Sequence, residues 1–195
     1  MPAPNKRPIA AGAGAVALIL GGVYAVEGGY VRERADPGGA TRYGVTEQVA
    51  RRAGYSGDMR DFPQHCDGSA TACADDIYVQ QYIVAPGYMP LVTIEPAIAD
   101  KLVNDAVNLG EARPNKWYRE TVGLPISGRP LGARDYEAYQ KHPACEADLR
   151  SLASKQEAEY RMLVAHNASL GVFLGGWVSR ARNLHPSGIS CRSPE

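Results

Sequence analysis

The feature that most constrains this chain is a run without charge, Ile9 to Val26, preceded by Lys6 and Arg7 and joined directly to Glu27. As a helix its eighteen residues rise roughly 27 Å, close to the hydrocarbon thickness of a bilayer. The positive-inside rule then keeps Lys6 and Arg7 in the cytoplasm and sends everything after Val26 outward. The run is nevertheless a weak anchor. Ten of its residues are glycine or alanine, among them Gly12, Gly14, Gly21 and Gly22, and only seven are large aliphatics. Each large aliphatic gains roughly 1.5 to 3 kcal/mol on burial, and a protein core shelters it as well as lipid does. Residues 1–26 are therefore expected to be a signal-anchor able to leave the membrane and become the first helix of the folded domain. A cleavable signal peptide is the alternative, because Val23-Tyr24-Ala25 satisfies the small-residue rule. Cleavage there would strand Glu27 as the second residue of the mature chain, without a preceding helix to hold it.

Beyond that run the chain has the composition of a globular domain. Of its 195 residues 45% are hydrophobic and 22% charged, which excludes intrinsic disorder and allows one domain, with or without a small annex. Basic and acidic side chains number 21 each, so no global field draws the protein to nucleic acid, and none is expected as a partner. The four cysteines are Cys66, Cys73, Cys145 and Cys191, none spaced as CxxC. Cys66 and Cys73 bracket the small polar loop DGSATA, which a local disulfide closes, leaving Cys145 and Cys191 to tie down the C-terminal tail. Three connectivities remain possible from sequence. A zinc site on His65 and Cys66 lacks paired ligand spacing. Export favours disulfides.

The chemistry concentrates after the apolar run. A carboxyl at the end of an apolar helix, as Glu27 is, has its pKa raised by desolvation, the requirement of a general acid at neutral pH. Asp36, on a polar turn with Pro37, Gly38 and Gly39, stays ionised in that reading. Carboxyls whose environments push their pKa values apart are the pattern of a glycosidase. Gly38 and Gly39 permit a tight turn and close backbone approach to a sugar chain, and Thr41 can hold a water opposite the scissile bond. Taken singly, Asp36-Pro37-Gly38-Gly39 is a plain turn signal and Glu27 a solvated helix end.

Together these residues carry a resemblance. EGGYVRERADPGGATRYGVT resembles the signature of the glycoside hydrolase 108 family of phage endolysins, through Glu27, Gly28, Gly29, Tyr30, Asp36, Pro37, Gly38, Gly39, Thr41, Gly44 and Thr46. Val45 stands where isoleucine is usual, and the aspartate-threonine gap is one residue shorter than in better-known phage lysozymes. The resemblance implies a mainly α, α+β lysozyme-like fold with a small β-hairpin or turn region near residues 36–46. It also implies an N-acetylmuramidase that hydrolyses peptidoglycan between N-acetylmuramic acid and N-acetylglucosamine, with Glu27, Asp36 and Thr41 catalytic and no cofactor or metal. Tyr30, Gly39, Tyr43, Asn108 and Trp117 are the candidate substrate-binding residues. The missing linker and the small residues of the apolar run resemble the signal-arrest-release endolysins, held inactive in the host inner membrane and then freed as a soluble periplasmic monomer. A lytic transglycosylase and a non-catalytic, membrane-anchored peptidoglycan-binding protein are the rival readings.

For the rest of the chain, Thr46 is expected to cap a helix reaching about Ala53, and Asp75 and Asp76 to open a second, DDIYVQQYIV, ending before Pro86-Gly87. Glu95 to Leu109 places Ile98, Leu102, Val103, Ala106 and Val107 on one helical face. DAVNLGEARPNKWYRETVGLP resembles the family's second conserved region, which points Asn108 at the sugar cleft; a plain Asn-Leu-Gly helix end is the other reading. Trp117 and Tyr118 either stack on sugar rings or fill the core. ISGRPLGARD reads as loop, Cys145 to His166 as a long helix and Val172 to Asn183 as a last one. FLGGWVSRARNL resembles the end of the family's predicted peptidoglycan-binding region. The expected organisation is a catalytic region at 27–110 and a helical C-terminal region at 111–195 packed on it. Arg150, Arg161, Arg180 and Arg182 form either a basic face toward an anionic wall or ordinary solvated positions.

Overall fold

A computed structural model describes residues 7–27, 29–31, 39–68 and 72–192, without the side chains of residues 7–11, 26 and 27. The fold is mainly α with one small antiparallel hairpin. Helix α1 (Arg7–Glu27) is followed by strands β1 (Thr41–Arg42) and β2 (Val45–Thr46), then α2 (Glu47–Arg52) and α3 (Ala74–Tyr78). A π-helical turn, Val79–Val84, continues α3, and α4 (Met89–Ile94), α5 (Pro96–Leu109), α6 (Ala112–Thr121) and α7 (Ala133–Lys141) follow. The chain closes with α8 (Cys145–His166), a 3-10 turn at Ala168–Phe173 and α9 (Leu174–Arg182).

Helix α5 is the centre. The expected stripe of Ile98, Leu102, Val103 and Ala106 is buried, but so are Ala97, Ala99 and the charged Asp100, Lys101 and Asp105. The helix is thus enclosed by α1, α4, α6, α8 and the π turn rather than packed along one face. Lys101 donates to Asp105 Oδ1 at 2.5 Å and to Gln156 of α8 at 2.6 Å, which is how charge is tolerated there. Burial pushes the Asp105 carboxyl up to about 6 despite the opposing pull of Lys101.

Against this centre α1 lays a narrow stripe, Ala15, Ile19, Leu20 and Val23, spaced to share one helical face. Leu18, on the other side, is 57% exposed. Among the described residues no helix is long and apolar enough to cross a membrane. The segment expected to occupy a bilayer contributes here to the protein core.

Local chemistry sets most other boundaries. Thr46 accepts a hydrogen bond from the Val49 amide and caps α2. At α3 the helix starts at Ala74, one residue ahead of the two aspartates, and the cap is Cys73, its sulfur accepting from the Asp76 amide. The expected helix from Asp75 to Val84 changes pitch after Tyr78. An α-helix would turn Ile83 about 140° away from Tyr78, five residues earlier. The wider turn brings both inside, where Ile83 is fully buried. The ARD of ISGRPLGARD is not loop, because Asp135 accepts from the Gly132 amide at 2.9 Å and starts α7. Disulfides join Cys66 to Cys73 and Cys145 to Cys191. The four C-terminal arginines do not make an open basic face. Arg150 pairs with Glu146, Arg161 and Arg182 share Glu157, and Arg180 donates to Asn108.

Candidate active site

The geometry begins where α1 ends. Glu27 is the last residue of α1, with its side chain outside the described atoms, and Asp36 lies outside the described residues altogether. The chain then returns on itself: Val31 and Thr41 exchange backbone hydrogen bonds of 2.8 and 2.7 Å, and Thr41 is also paired with Thr46 across the hairpin. Four residues separate Glu27 from Val31, so their Cα atoms are at most about 14 Å apart. Thr41 is therefore bonded to the strand that leads directly away from the helix end.

A second tie is aromatic. Tyr24, in the last turn of α1, meets Tyr43 edge-on at 6.2 Å and Tyr78 at 5.5 Å. Its hydroxyl donates to Asp75 Oδ1 at 2.7 Å, and the other Asp75 oxygen lies 2.8 Å from His65 Nδ1. Burial and the Asp75 contact hold the Tyr24 hydroxyl far above its ordinary pKa, so it remains a donor. Tyr78 donates to the Tyr43 carbonyl at 3.1 Å. Tyr43 and Gly44 both have positive φ, 53° and 74°, the pattern of a two-residue type I′ hairpin turn. Tyr43 thus anchors the turn that presents Thr41, a role beyond the sugar contact expected of it. Tyr24, Tyr78 and Asp75 do not stand out as part of a site in sequence, and His65 stands out only as a zinc candidate, because they come from α1, α3 and the loop before it.

The remaining candidates are dispersed. Tyr30 is 37% exposed, under the Arg60 guanidinium, at the edge of a pocket of about 160 Å³ that Glu47, Arg51, Asp58 and Met59 also line. Gly39 has φ 79°, and a Cβ there would meet Glu47 Oε2 at 2.9 Å, so its missing side chain makes room for α2. Glu47 and Asp58 are carboxylates beside Tyr30 that sequence reading did not single out; Glu47 pairs with Arg51 at 2.8 Å. Asn108 is engaged within the fold: its amide donates to the Asn104 carbonyl at 2.6 Å and its oxygen accepts from Arg180 of α9. Trp117 is half-buried against the core, and Tyr118 is fully buried. Among the described residues the one grouping with metal-ligand spacing is Cys66, Cys73 and Asp76. Both sulfurs are spent in a disulfide and supply no thiolate, which also removes the His65–Cys66 zinc alternative.

This arrangement can be compared with known proteins. The glycosyl hydrolase 108 family model matches residues 20–110, from the second half of α1 to the end of α5. A solved structure of Brucella abortus SagA superposes with a TM-score of 0.67 at 24% identity, covering 93% of this chain and 98% of that one, and so shares its fold. No curated protein matches the sequence. The matched span contains α1's last turn, the hairpin and the Tyr24–Tyr43–Tyr78 cluster that joins them. Residues 20–110, a little under half of the chain, are thus similar to glycosyl hydrolase family 108, and the fold is that of SagA.

Proposed function

We propose that the protein is a muramidase, hydrolysing the bond between N-acetylmuramic acid and N-acetylglucosamine, and that a phage uses it as an endolysin. The observation that carries this reading is the docking of α1's last turn onto the hairpin of Thr41 through Tyr24 and Tyr43. It sets the turn of the helix that ends in Glu27 against the hairpin that carries Thr41. In the reaction Glu27 protonates the glycosidic oxygen as the bond to the anomeric carbon breaks. Asp36 either steadies the oxocarbenium charge or, with Thr41, orients the attacking water. Tyr30, Gly39, Tyr43, Asn108 and Trp117 remain the candidates for holding the glycan.

The second half of the reading concerns timing. Residues 9–26 carry no charge and lead straight into Glu27, so one segment serves as export signal-anchor and then as α1. The N-terminus stays in the cytoplasm and the rest lies in the periplasm, inactive until the helix leaves the lipid and the enzyme becomes a soluble monomer. Gly14 and Gly21 support this: neither has an atom within 4 Å of a Cβ position, so the folded core does not require them small. Glycines with no packing role weaken the segment's hold on lipid.

The test is turnover of purified peptidoglycan by the folded enzyme and its Glu27→Gln variant, with products weighed by mass spectrometry. The expected result is loss of at least about a thousandfold in kcat for the variant, and wild-type products that have gained water. Anhydro-sugar ends would instead identify a lytic transglycosylase, and sacculus binding without cleavage a binding protein. Substantial turnover by the variant would remove Glu27 from the acid role.

A further inference from the structure

The C-terminal segment after α9, residues 183–192, runs back across the molecule and touches α1. Ser187 is its point of contact. The Ser187 amide donates to Asp100 Oδ2 at 2.9 Å and its hydroxyl lies 2.7 Å from Asp100 Oδ1, on the buried face of α5. The same hydroxyl lies 3.4 Å from the Ile19 carbonyl of α1, and its single proton goes to the nearer carboxylate. One turn further along α1, Gly22 presses on Ser187. A Cβ on Gly22 would collide with Ser187 Oγ and would sit 2.9 Å from its Cβ and 3.1 Å from its Cα, which is backbone and cannot swing aside.

The strap cannot retreat to relieve such a collision, because it is held on both sides of Ser187. The His185 ring bonds the Ile189 carbonyl at 2.7 Å and Glu146 at 3.2 Å. Cys191 is joined to Cys145, the first residue of α8, and the Arg192 amide reaches both oxygens of Glu95 at 3.3 Å. The core contacts of α1 are of a different kind: Ile19, Leu20 and Val23 are buried by non-directional apolar packing, which tolerates small rotations and slides of a helix. Directional constraint on α1 comes from the Tyr24 hydroxyl on Asp75 at one side and from the seat of Gly22 against Ser187 at the other. From Gly22 to Glu27 is five residues, roughly 7.5 Å along the helix. A displacement at Gly22 is therefore passed to the helix end with little attenuation, and a misplacement of about 1 Å at a reacting group costs about a hundredfold in rate.

We propose that the strap is a latch that sets the position of α1, with Ser187 and Asp100 as positioning residues for the carboxyl at its end. The inference rests on the reading of Glu27 as the acid. It makes activity depend on the C-terminal tail, although the tail lies outside the family-matched span.

Gly22→Ala is expected to lower kcat on peptidoglycan at least roughly tenfold with KM within about twofold, the split that displacement of an acid gives and a loss of glycan contacts does not. Adding Ser187→Gly, which removes the two closest atoms, Oγ and Cβ, leaves only the 3.1 Å approach to Cα and keeps the amide bond to Asp100, should restore about fivefold or more of that loss. In parallel, hydrogen exchange of the α1 amides should quicken in Gly22→Ala and slow again in the double variant. Ser187→Ala keeps the Cβ and the fold and removes only the hydroxyl; a threefold or greater fall in kcat at constant KM is expected. The latch is overturned if Gly22→Ala keeps more than half its kcat, if the double variant recovers nothing, or if Ser187→Ala turns over like wild type. An active Glu27→Gln with exchange behaving as described would refute the acid assignment and leave the latch standing; unchanged exchange in Gly22→Ala would refute the latch whatever Glu27 does.

Discussion

Removing Lys101 tests the account of the core most severely. Its side chain and that of Asp105 are wholly buried, 2.5 Å apart, and Lys101 also donates to Gln156 of α8. Asp105 Oδ2 has no hydrogen-bond partner, so the lysine is the principal compensation for the charge. Lys101→Met leaves that carboxylate alone in the centre of the fold. Breaking a buried pair in this way costs about 3 to 5 kcal/mol, which for a chain of 195 residues lowers Tm by roughly 6 to 20 °C. Replacing both partners, with Lys101→Met and Asp105→Leu, removes the desolvated charge as well and should return stability to within about 1 kcal/mol of wild type or above it.

The pH dependence fixes the sign. Burial already raises the Asp105 carboxyl from 3.8 to about 6 with Lys101 pulling it down, and without the lysine it rises further. A group whose folded pKa is raised contributes stability that is complete below its unfolded pKa and is lost as pH climbs through the folded value. Lys101→Met should therefore be closest to wild type near about pH 5 and progressively weaker toward about pH 8. Urea unfolding with the disulfides intact, followed at both pH values, reads this directly. A loss under about 1 kcal/mol near pH 8, or one of equal size at the two pH values, would refute the claim that an uncompensated buried carboxylate is what the variant exposes.

Two other perturbations separate the roles of the tail and the first helix. Converting Cys145 and Cys191 to serine opens a link spanning 46 residues and should cost roughly 4 kcal/mol in urea unfolding, against roughly 2.4 for the link of 7 between Cys66 and Cys73; the reverse order would sink the chain-entropy argument. Gly14→Leu with Gly21→Leu should leave the purified enzyme active and up to about 1 kcal/mol per site more stable, because both positions face open space, while delaying lysis and keeping the protein in the membrane fraction of expressing cells. Lysis on the wild-type schedule would dismiss the release step.

Sequence made legible those elements whose signals are local. Thr46 capping α2 and the bounds of α8 from Cys145 to His166 follow from short-range chemistry, whereas the pairing of the cysteines is one of three connectivities that sequence leaves open. Helix α5 was half legible: its apolar stripe announces one buried face, but Asp100, Lys101 and Asp105 read as the solvent side. Only the three-dimensional neighbours, Ser187 from the tail and Gln156 from α8, make it possible to bury them. The π turn was hidden for a related reason, since its pitch answers to the core's demand for both Tyr78 and Ile83. At the site, the hairpin and Thr41 were legible as a glycine-rich turn, whereas Tyr24, Asp75 and His65 come together from 10 to 51 residues apart and leave no local pattern.

The four glycines of α1 show how one residue type answers to different physics. Gly12 keeps an ordinary 3.7 Å distance between its Cβ position and Thr93, Gly14 and Gly21 meet nothing, and Gly22 has no room at all beneath Ser187. In a helix answering only to the folded domain, Gly14 and Gly21 are a waste, each forgoing up to about 1 kcal/mol of helix propensity. In a helix answering only to lipid, Gly22 need not be small, because hydrocarbon accepts a larger side chain there. In the proposed reading, where the segment meets both environments in turn, glycine serves at each of these positions for a different reason. That is why substitution at Gly22 probes the latch and substitution at Gly14 and Gly21 probes release, and why a variant changing all four at once could not tell the two apart.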